Sequence, residues 1–459
     1  MPTTRRQMIR SLAAGGLLLP GVLSEMIAGQ ASASPHPPAD PLAPRAPHFA
    51  PPAKRVIFLF MTGGVSHVDT FDPKPALRAH HGKQRDNHDY YKGADWGFCR
   101  YGQSGIEVSD LFPNIGGMAD ELSVIRSMRG DNGDHFGATI GIHTGSTTFN
   151  RPSIGSWVSY GLGTENRNLP SFMVMAPGLP YAGGQVWGAD FLPGLHQGTR
   201  IVPGEEPIAN MRRRNVSGEL QRTELDMLGY FNRQHLVGRE ADPNLAARIQ
   251  SFETAFGMQA AAPEAFDLSG ESTETHALYG LEPGSRDSFA WQCLVARRLA
   301  ERGVRFIELI DTDSSSDRNW DTHGKMSRYT KLARNVDRPI AALLKDLKRR
   351  GMLDETLVVW TTEFGRSPFA PFAGALGRGH HAPAYSSWLA GGGVRGGTVY
   401  GKSDEWGDQV TENPVSVHDL HATILHQLGL DHQRLTYRHA GRDYRLTDVH
   451  GRVVRELLS

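Results

Sequence analysis

Imidazoles and carboxylates gather in five short stretches of this sequence, most of them placed where an apolar run ends. The first is Thr62-Gly63-Gly64-Val65-Ser66-His67-Val68-Asp69, continuing to Asp72, and the second is Asp131-Asn132-Gly133-Asp134-His135. A third opens with Asp311, Asp313 and Asp317 and runs on to Asn319-Trp320-Asp321-Thr322-His323. Glu363-Phe364-Gly365-Arg366 and Gly379-His380-His381 complete the set. Nitrogen and oxygen donors of these kinds are what divalent cations take as ligands. The chemistry in view is a metal site that polarises a bound group and activates water.

Spacing sorts these residues. Asp321 and His323 are one residue apart, so an extended segment projects both to the same side. His380 and His381 are adjacent and diverge in an extended segment, which leaves one of them to bind. Glu363 follows a buried run directly, where an unpaired charge is costly; it is either a ligand or the ion-pair partner of Arg366. Taken alone, His67 and Asp69 read as a loop-fixing hydrogen-bonded pair. His418 and His421 are three apart and share a helix face. However, Val417, Leu420, Ile424 and Leu428 form a buried stripe there, so a core helix is the simpler account. The arginine-rich, aromatic stretch 437–448 reads as a surface brace.

The elements that must position these groups follow from periodicity. Runs at 55–61, 123–128, 171–176, 304–310 and 356–361, with a weaker one at 386–390, are short and near-continuously apolar. Such runs mark strands buried on both faces of a parallel sheet. Helical spacing appears at 289–300 before Gly303, at 329–347, and at 417–428 before Gly429. The alternation predicts a doubly wound α/β domain with a mostly parallel sheet. Residues 178–283 read as a loop-rich insertion or cap, with one helical run at 219–231 and a separate small domain as the alternative. In such sheets, ligands bind at the carboxyl ends of the strands.

Composition bounds the rest. Hydrophobic residues make up 39% and charged residues 21%, as in a soluble globular protein. Lys plus Arg equals Asp plus Glu at 49 each, so no basic field points to nucleic acid. Cys99 and Cys293 are the only cysteines, enough for one bridge and too few for a disulfide framework. Residues 1–33 carry Arg5-Arg6, a modest apolar run from Leu12 to Leu23, and Ala31-Ser32-Ala33. They predict a twin-arginine signal peptide read by its translocase, and export to the periplasm or beyond; an ordinary secretory peptide is the alternative. That run is shorter than the roughly 20 residues that span a bilayer, and no transmembrane segment is expected in the mature chain. Residues 34–53 read as a Pro-rich linker, and 54–459 as the folded domain.

The motifs Gly63 to Pro75, Asn319 to Gly324, Thr362 to Pro368, Ala390 to Gly401 and His418 to Leu425 together resemble a bacterial family of unknown function, DUF1501. The resemblance runs from about Val56 to the C-terminus. The family is placed with the sulfatase and alkaline-phosphatase superfamily, which implies an alkaline-phosphatase-like fold with one or two divalent metals at the sheet edge. The resemblance puts His135 where phosphatases carry a Ser or Thr nucleophile, opening a helix that ends Thr144-Gly145. No C/S-x-P-x-R motif stands in that position. Asp321, His323 and His380 match one metal site, and Glu363-Phe364 stands where the superfamily has an Asp-His pair.

The expected function is a metal-dependent hydrolase of sulfate or phosphate esters, acting on a glycan or a small ester. Its ion, Zn, Ca, Mg or Mn, is held by Asp321, His323, Glu363 and His380. His135 and Arg366 are the expected catalytic groups, Arg366 as an oxyanion clamp. Thr62, Ser66 and His67 are expected to bind substrate. The alternative is a non-catalytic binding or scaffold protein that retains the fold.

Overall fold

A computed structural model describes residues 42–86, 89–209, 217–237, 243–312 and 319–459. The expected signal peptide, the start of the linker, Asp313 and Asp317 lie outside the described residues.

Strand β1, Arg55–Met61, sets the architecture. Its alternation sends Val56, Phe58 and Phe60 to one face and Ile57, Leu59 and Met61 to the other. Each set joins a different core cluster, so the strand needs cover on both sides. The other sheet strands are β2 (Leu122–Arg129), β3 (Phe172–Met175), β4 (Thr199–Ile201) and β5 (Phe306–Asp311). They continue with β6 (Thr356–Thr361), β7 (Tyr385–Ala390), β8 (Thr398–Tyr400) and β9 (Val415–Ser416). The nine strands run in the order β8-β2-β7-β6-β1-β5-β3-β4, with β9 also paired to β2. All pairings are parallel except those of β7, which is antiparallel to both β2 and β6.

The principal helices are α1 (His135–Thr144), α2 (Ile154–Leu162), α3 (Gly218–Leu236) and α4 (Pro243–Phe266). After them come α5 (Thr273–Tyr279), α6 (Phe289–Glu301), α7 (Tyr329–Arg349) and α8 (Val417–Gln427). Apolar stripes of α6 and α7, including Leu294, Val336 and Ile340, fill the cluster on the Ile57 face. Those of α1, α2 and α8, including Ile142, Trp157 and Ile424, fill the cluster on the Phe58 face. Helices on both faces of a mostly parallel sheet make the doubly wound fold that the sequence predicts.

The chain divides into two compact units, residues 1–41 with 212–252, and residues 42–211 with 253–459. The larger holds the sheet and the site described below. The stretch 178–283, expected to be loop-rich with one helical run at 219–231, contains the edge strand β4 and the three helices α3, α4 and α5. Helix α4 escapes periodicity because Pro263 interrupts its pattern and its apolar residues do not share one side. No helix among the described residues is long and apolar enough to cross a membrane.

Residues 42–53 form an irregular segment bonded along the body of the domain. Arg45 N donates to Leu162 O, His48 N to Gly429 O and Ala53 N to Gln427 O, which satisfies carbonyls at the ends of α2 and α8. A Cβ at Gly163 would meet Ala43 O at 2.2 Å, so this docking needs glycine there. The two cysteines are free: Cys293 is buried, and Cys99 is exposed with its thiol toward Asp110, so no bridge forms.

Helix α8 is a core helix, with Leu420, Ile424, Leu425 and Leu428 buried. Its two histidines serve the neighbouring helix. His418 Nε2 reaches Gly145 O and His421 Nε2 reaches Ile142 O, both at 2.8 Å, and so cap the end of α1. Burial pushes His421 down to about 3, and it does the same to His196. Both are neutral in the fold and take up protons on unfolding. Their contribution is therefore complete above pH 6.5 and is lost as the pH falls towards 3. Below pH 6.5, stability should fall by about 1.4 kcal/mol per pH unit for each of the two. Urea denaturation between pH 8 and 5 measures this, and His421→Gln should flatten the slope.

Candidate metal centre

Every group of the site comes from a strand end or the loop that follows it. After β2 the chain turns at Gly130 to Asp134, and the Asp134 side chain caps α1 by accepting from Gly137 N. His135, the first residue of α1, is thereby set at the carboxyl edge of the sheet. After β5, Asn319 takes a positive φ of 55° and Trp320 Nε1 donates to Asp311 Oδ2 at 2.7 Å, which carries the chain back over the edge to Asp321 and His323. His380 belongs to a two-residue strand, His380–His381, paired with Gly365–Arg366. Their neighbouring histidines diverge as expected: His381 turns away and its Nε2 bonds Asp408 O.

His135, Asp321, His323 and His380 converge. One donor atom from each lies within 4.8 Å of all the others. Asp321 is the hub. Its Oδ1 lies 3.0 Å from His323 Nε2 and 3.7 Å from His380 Nε2, and its Oδ2 lies 3.2 Å from His135 Nε2. His323 Nε2 and His380 Nε2 are 2.7 Å apart, two nitrogens facing one point.

The imidazoles are aimed from behind. His135 Nδ1 donates to Glu363 Oε1 at 2.7 Å, and His380 Nδ1 donates to Gly133 O at 2.7 Å. In each ring this places the proton on Nδ1 and presents Nε2 to the centre, the arrangement that orients a metal-binding histidine. His135 Nε2 is buried and lacks a hydrogen-bond partner, although Asp321 Oδ2 lies 3.2 Å away. A buried nitrogen left in that state costs free energy unless something else takes its lone pair. Three imidazoles, one carboxylate and an orphaned nitrogen among them suit a divalent cation.

Charge follows the same geometry. Burial alone would raise Asp321, but the facing His135 and His380 imidazoles and the Arg366 guanidinium outweigh it and hold the carboxyl well below its usual range. Burial would lower His135, but the Asp321 and Glu363 carboxylates outweigh it and raise the imidazole. A proton and a metal ion thus compete for the same place. Burial, together with the Arg366 charge, lowers His323, whose side chain is 53% exposed and forms the open side.

The remaining predicted residues are placed differently from one another. Glu363 is outside the converging set: its Oε1 takes His135 and the Gly63 amide, and it pairs with His135, not with Arg366. Arg366 is fully buried and pairs with Asp321 Oδ1 at 2.6 Å. Its other donors go to the carbonyls of Gly63, Gly64 and Arg378, so the fork expected to clamp an ester anion is already engaged. Gly63 and Gly64 have φ of 110° and 75°, a left-handed pair that turns both carbonyls toward the guanidinium. Ser66 Oγ donates to Asp69 within its own loop, and His67 Nε2 bonds Gly407 O in the distant loop 404–409, so both are engaged by the protein itself. Thr62 is buried with its hydroxyl unpartnered.

Two residues carry weight that sequence reasoning missed. Tyr181 donates its hydroxyl to Asp321 Oδ2 at 2.9 Å and stacks on His135 with ring centroids 4.1 Å apart. Arg378 is fully buried and bonds both oxygens of Asp69, plus the carbonyls of Lys92, Gly93 and Ser367. Asp72 meets Lys74 at 2.9 Å. The acids of the Asp69-Thr-Phe-Asp72 motif thus brace loops, and Arg378 holds the segment that delivers His380.

Residues 53–458 match the family described as "Protein of unknown function (DUF1501)". This chain belongs to that family. No curated protein matches it. Among solved structures the DUF1501 chain is similar to Ps i-CgsB in complex with k-i-k-neocarrahexaose, at 13% identity and a TM-score of 0.35, over 82% of this chain and 72% of that one. It is similar to the alkaline phosphatase of the Antarctic bacterium TAB5 at 13% identity and a TM-score of 0.31, over 75% and 93%. The PsFucS1 sulfatase from Pseudoalteromonas sp. stands at 12% and 0.37, over 89% and 71%. Values this low carry no argument about activity, and the chemistry of this DUF1501 member is read from its own geometry.

Two outcomes follow for the layer behind the centre. Glu363→Gln removes the carboxylate that orients His135 and should weaken metal affinity about 10–100-fold, as measured by titration with Zn²⁺ or Mn²⁺ against a competing chelator. Arg378→Ala leaves Asp69 buried and uncompensated, and urea denaturation should show a loss of about 3–5 kcal/mol.

Proposed function

We propose that this protein is a metal-dependent hydrolase of sulfate or phosphate esters, exported and active outside the cytoplasm. The observation that carries the reading is the convergence of His135, Asp321, His323 and His380 around the unpartnered nitrogen of His135. A divalent ion there supplies Lewis acidity, drawing charge from an ester oxygen and making water more acidic. The chain's own residues do the rest. Glu363 and the Gly133 carbonyl keep the Nε2 atoms of His135 and His380 turned inward. Arg366 and Tyr181 grip the two oxygens of Asp321, so that the carboxylate stays ionised and fixed in direction. His323 lies on the side open to solvent, where an ester has access.

This geometry supports His135 as a ligand ahead of its reading as a nucleophile. Its Nδ1 is held by Glu363 and its Nε2 faces the other donors. One observation favours the scaffold reading instead: Arg366, the one guanidinium touching Asp321 among the described residues, already spends four of its five N–H donors on Gly63, Gly64, Arg378 and Asp321.

Elemental analysis of the purified mature protein, with aryl sulfate and aryl phosphate hydrolysis assayed with and without chelator, separates the two. The hydrolase reading expects stoichiometric metal, turnover lost on chelation, and loss of both metal and turnover in Asp321→Ala. Absence of metal overturns it, and metal without turnover favours the scaffold.

A further inference from the structure

Three of the four converging donors are imidazoles, from His135, His323 and His380, and the fourth is the Asp321 carboxylate. The atom left without a partner, His135 Nε2, is itself a nitrogen. Calcium takes about six to eight oxygen ligands and magnesium about six, and both depend on the charge those oxygens carry. Imidazole suits zinc and its neighbours among the late transition ions, whereas manganese sides with the oxygen-seeking ions. Other acids on these loops do not make up the shortage of oxygen. Glu363 takes His135 and the Gly63 amide, Asp134 caps α1, and Asp311 accepts from Trp320. Asp131 is exposed and outside the converging group.

The one carboxylate is also short of charge. Asp321 Oδ1 is paired with the buried Arg366 guanidinium at 2.6 Å, so the two together carry no net charge. A guanidinium this close repels any dication, and ligand bonds must offset that cost. Zinc-class ions gain such bonds from imidazole, while calcium and magnesium gain little. Room for a water shell is limited as well. The Tyr181 ring stacks on His135 at 4.1 Å, and the buried Phe364 ring lies 4.8 Å from His135 and 4.7 Å from His380. Hydrocarbon thus flanks the imidazoles, and the exposed His323 marks the open side. Magnesium, which keeps several waters, is poorly served there. Zinc needs only about four ligands, one of which can be water.

We infer that this centre selects Zn²⁺ over Ca²⁺, Mg²⁺ and Mn²⁺, with three imidazoles supplying the affinity and Arg366 cancelling the charge that the harder ions need. The inference rests on the reading of this site as a metal centre and names its ion, whichever ester is cleaved.

Titration calorimetry of the chelator-stripped mature protein with each ion tests it. Zn²⁺ should bind at least about 100-fold more tightly than Mn²⁺. Ca²⁺ or Mg²⁺ in about 1000-fold excess should leave bound Zn²⁺ in place. Co²⁺, a spectroscopic stand-in for zinc, should give the strong visible absorption of a tetrahedral-type ion and not the weak bands of an octahedral one. The double variant His323→Asp, His380→Asp exchanges nitrogen for oxygen and should narrow the ratio of Zn²⁺ to Mn²⁺ affinity at least about tenfold. If that variant does not fold, the ion series on the unaltered protein decides alone. Equal or tighter binding of Mn²⁺, displacement of Zn²⁺ by Ca²⁺ or Mg²⁺, an octahedral Co²⁺ spectrum, or an unchanged ratio in the folded variant overturns the inference. Affinity is read without turnover, so the two readings fail separately. A protein that prefers Mn²⁺ yet cleaves esters overturns the ion assignment alone, one that selects Zn²⁺ without turnover overturns the hydrolase alone, and one that binds no ion overturns both.

Discussion

The carboxylate of Asp321 is largely withdrawn from water, and a charge so placed persists only where neighbouring groups replace its hydration. Here the replacement is distributed. A guanidinium and a phenol take one oxygen each, and three imidazole nitrogens face the same group. Each of these partners has a dependency of its own. Arg366 lies where it does because a glycine pair turns two carbonyls inward, and His135 lies where it does because Asp134 starts a helix and Glu363 holds the far side of the ring. The site is best understood as the solution to one solvation problem, with a cation as the remaining term.

Behind that layer stands a second, built from the motif Asp69-Thr-Phe-Asp72. Its charges face neither solvent nor the metal centre. Asp69 and Arg378 form a fully buried pair joining residues 309 apart in sequence, and Asp72 sits with Lys74 and Ser403. An acidic motif directly after a strand invites reading as a ligand set. In this fold it fastens the loop that carries His380.

Much of the sheet and part of the site was legible in the sequence. β1 and β6 coincide with their apolar runs because strands buried on both faces keep an unbroken apolar interior, 56–61 and 357–360. Asp321 and His323, and one histidine of the adjacent pair, were readable because alternation in an extended segment decides which side chains share a side. Tyr181 was not readable: it is one aromatic in a polar loop, and its meaning arises from contact with a residue 140 positions away. Arg378 and the placement of Glu363 behind His135 were hidden for the same reason. Local pattern shows which residues can reach a strand end, and tertiary contact decides which of them converge on Asp321 and which stand behind.

The lone antiparallel strand, β7, has a consequence for how the molecule comes into being. Its only sheet neighbours are β2 and β6, so the half containing β2, β8 and β9 joins the half built on β1 through β7 alone. Residues 385–390 must therefore leave the ribosome before the two halves can become one sheet. Until then β2 and β6 each present an open edge, the form of backbone most prone to pair with another chain. Folding of this protein is a late event in its synthesis, dominated by contacts distant in sequence, and completion of the metal centre waits on it, since His380 arrives just ahead of β7.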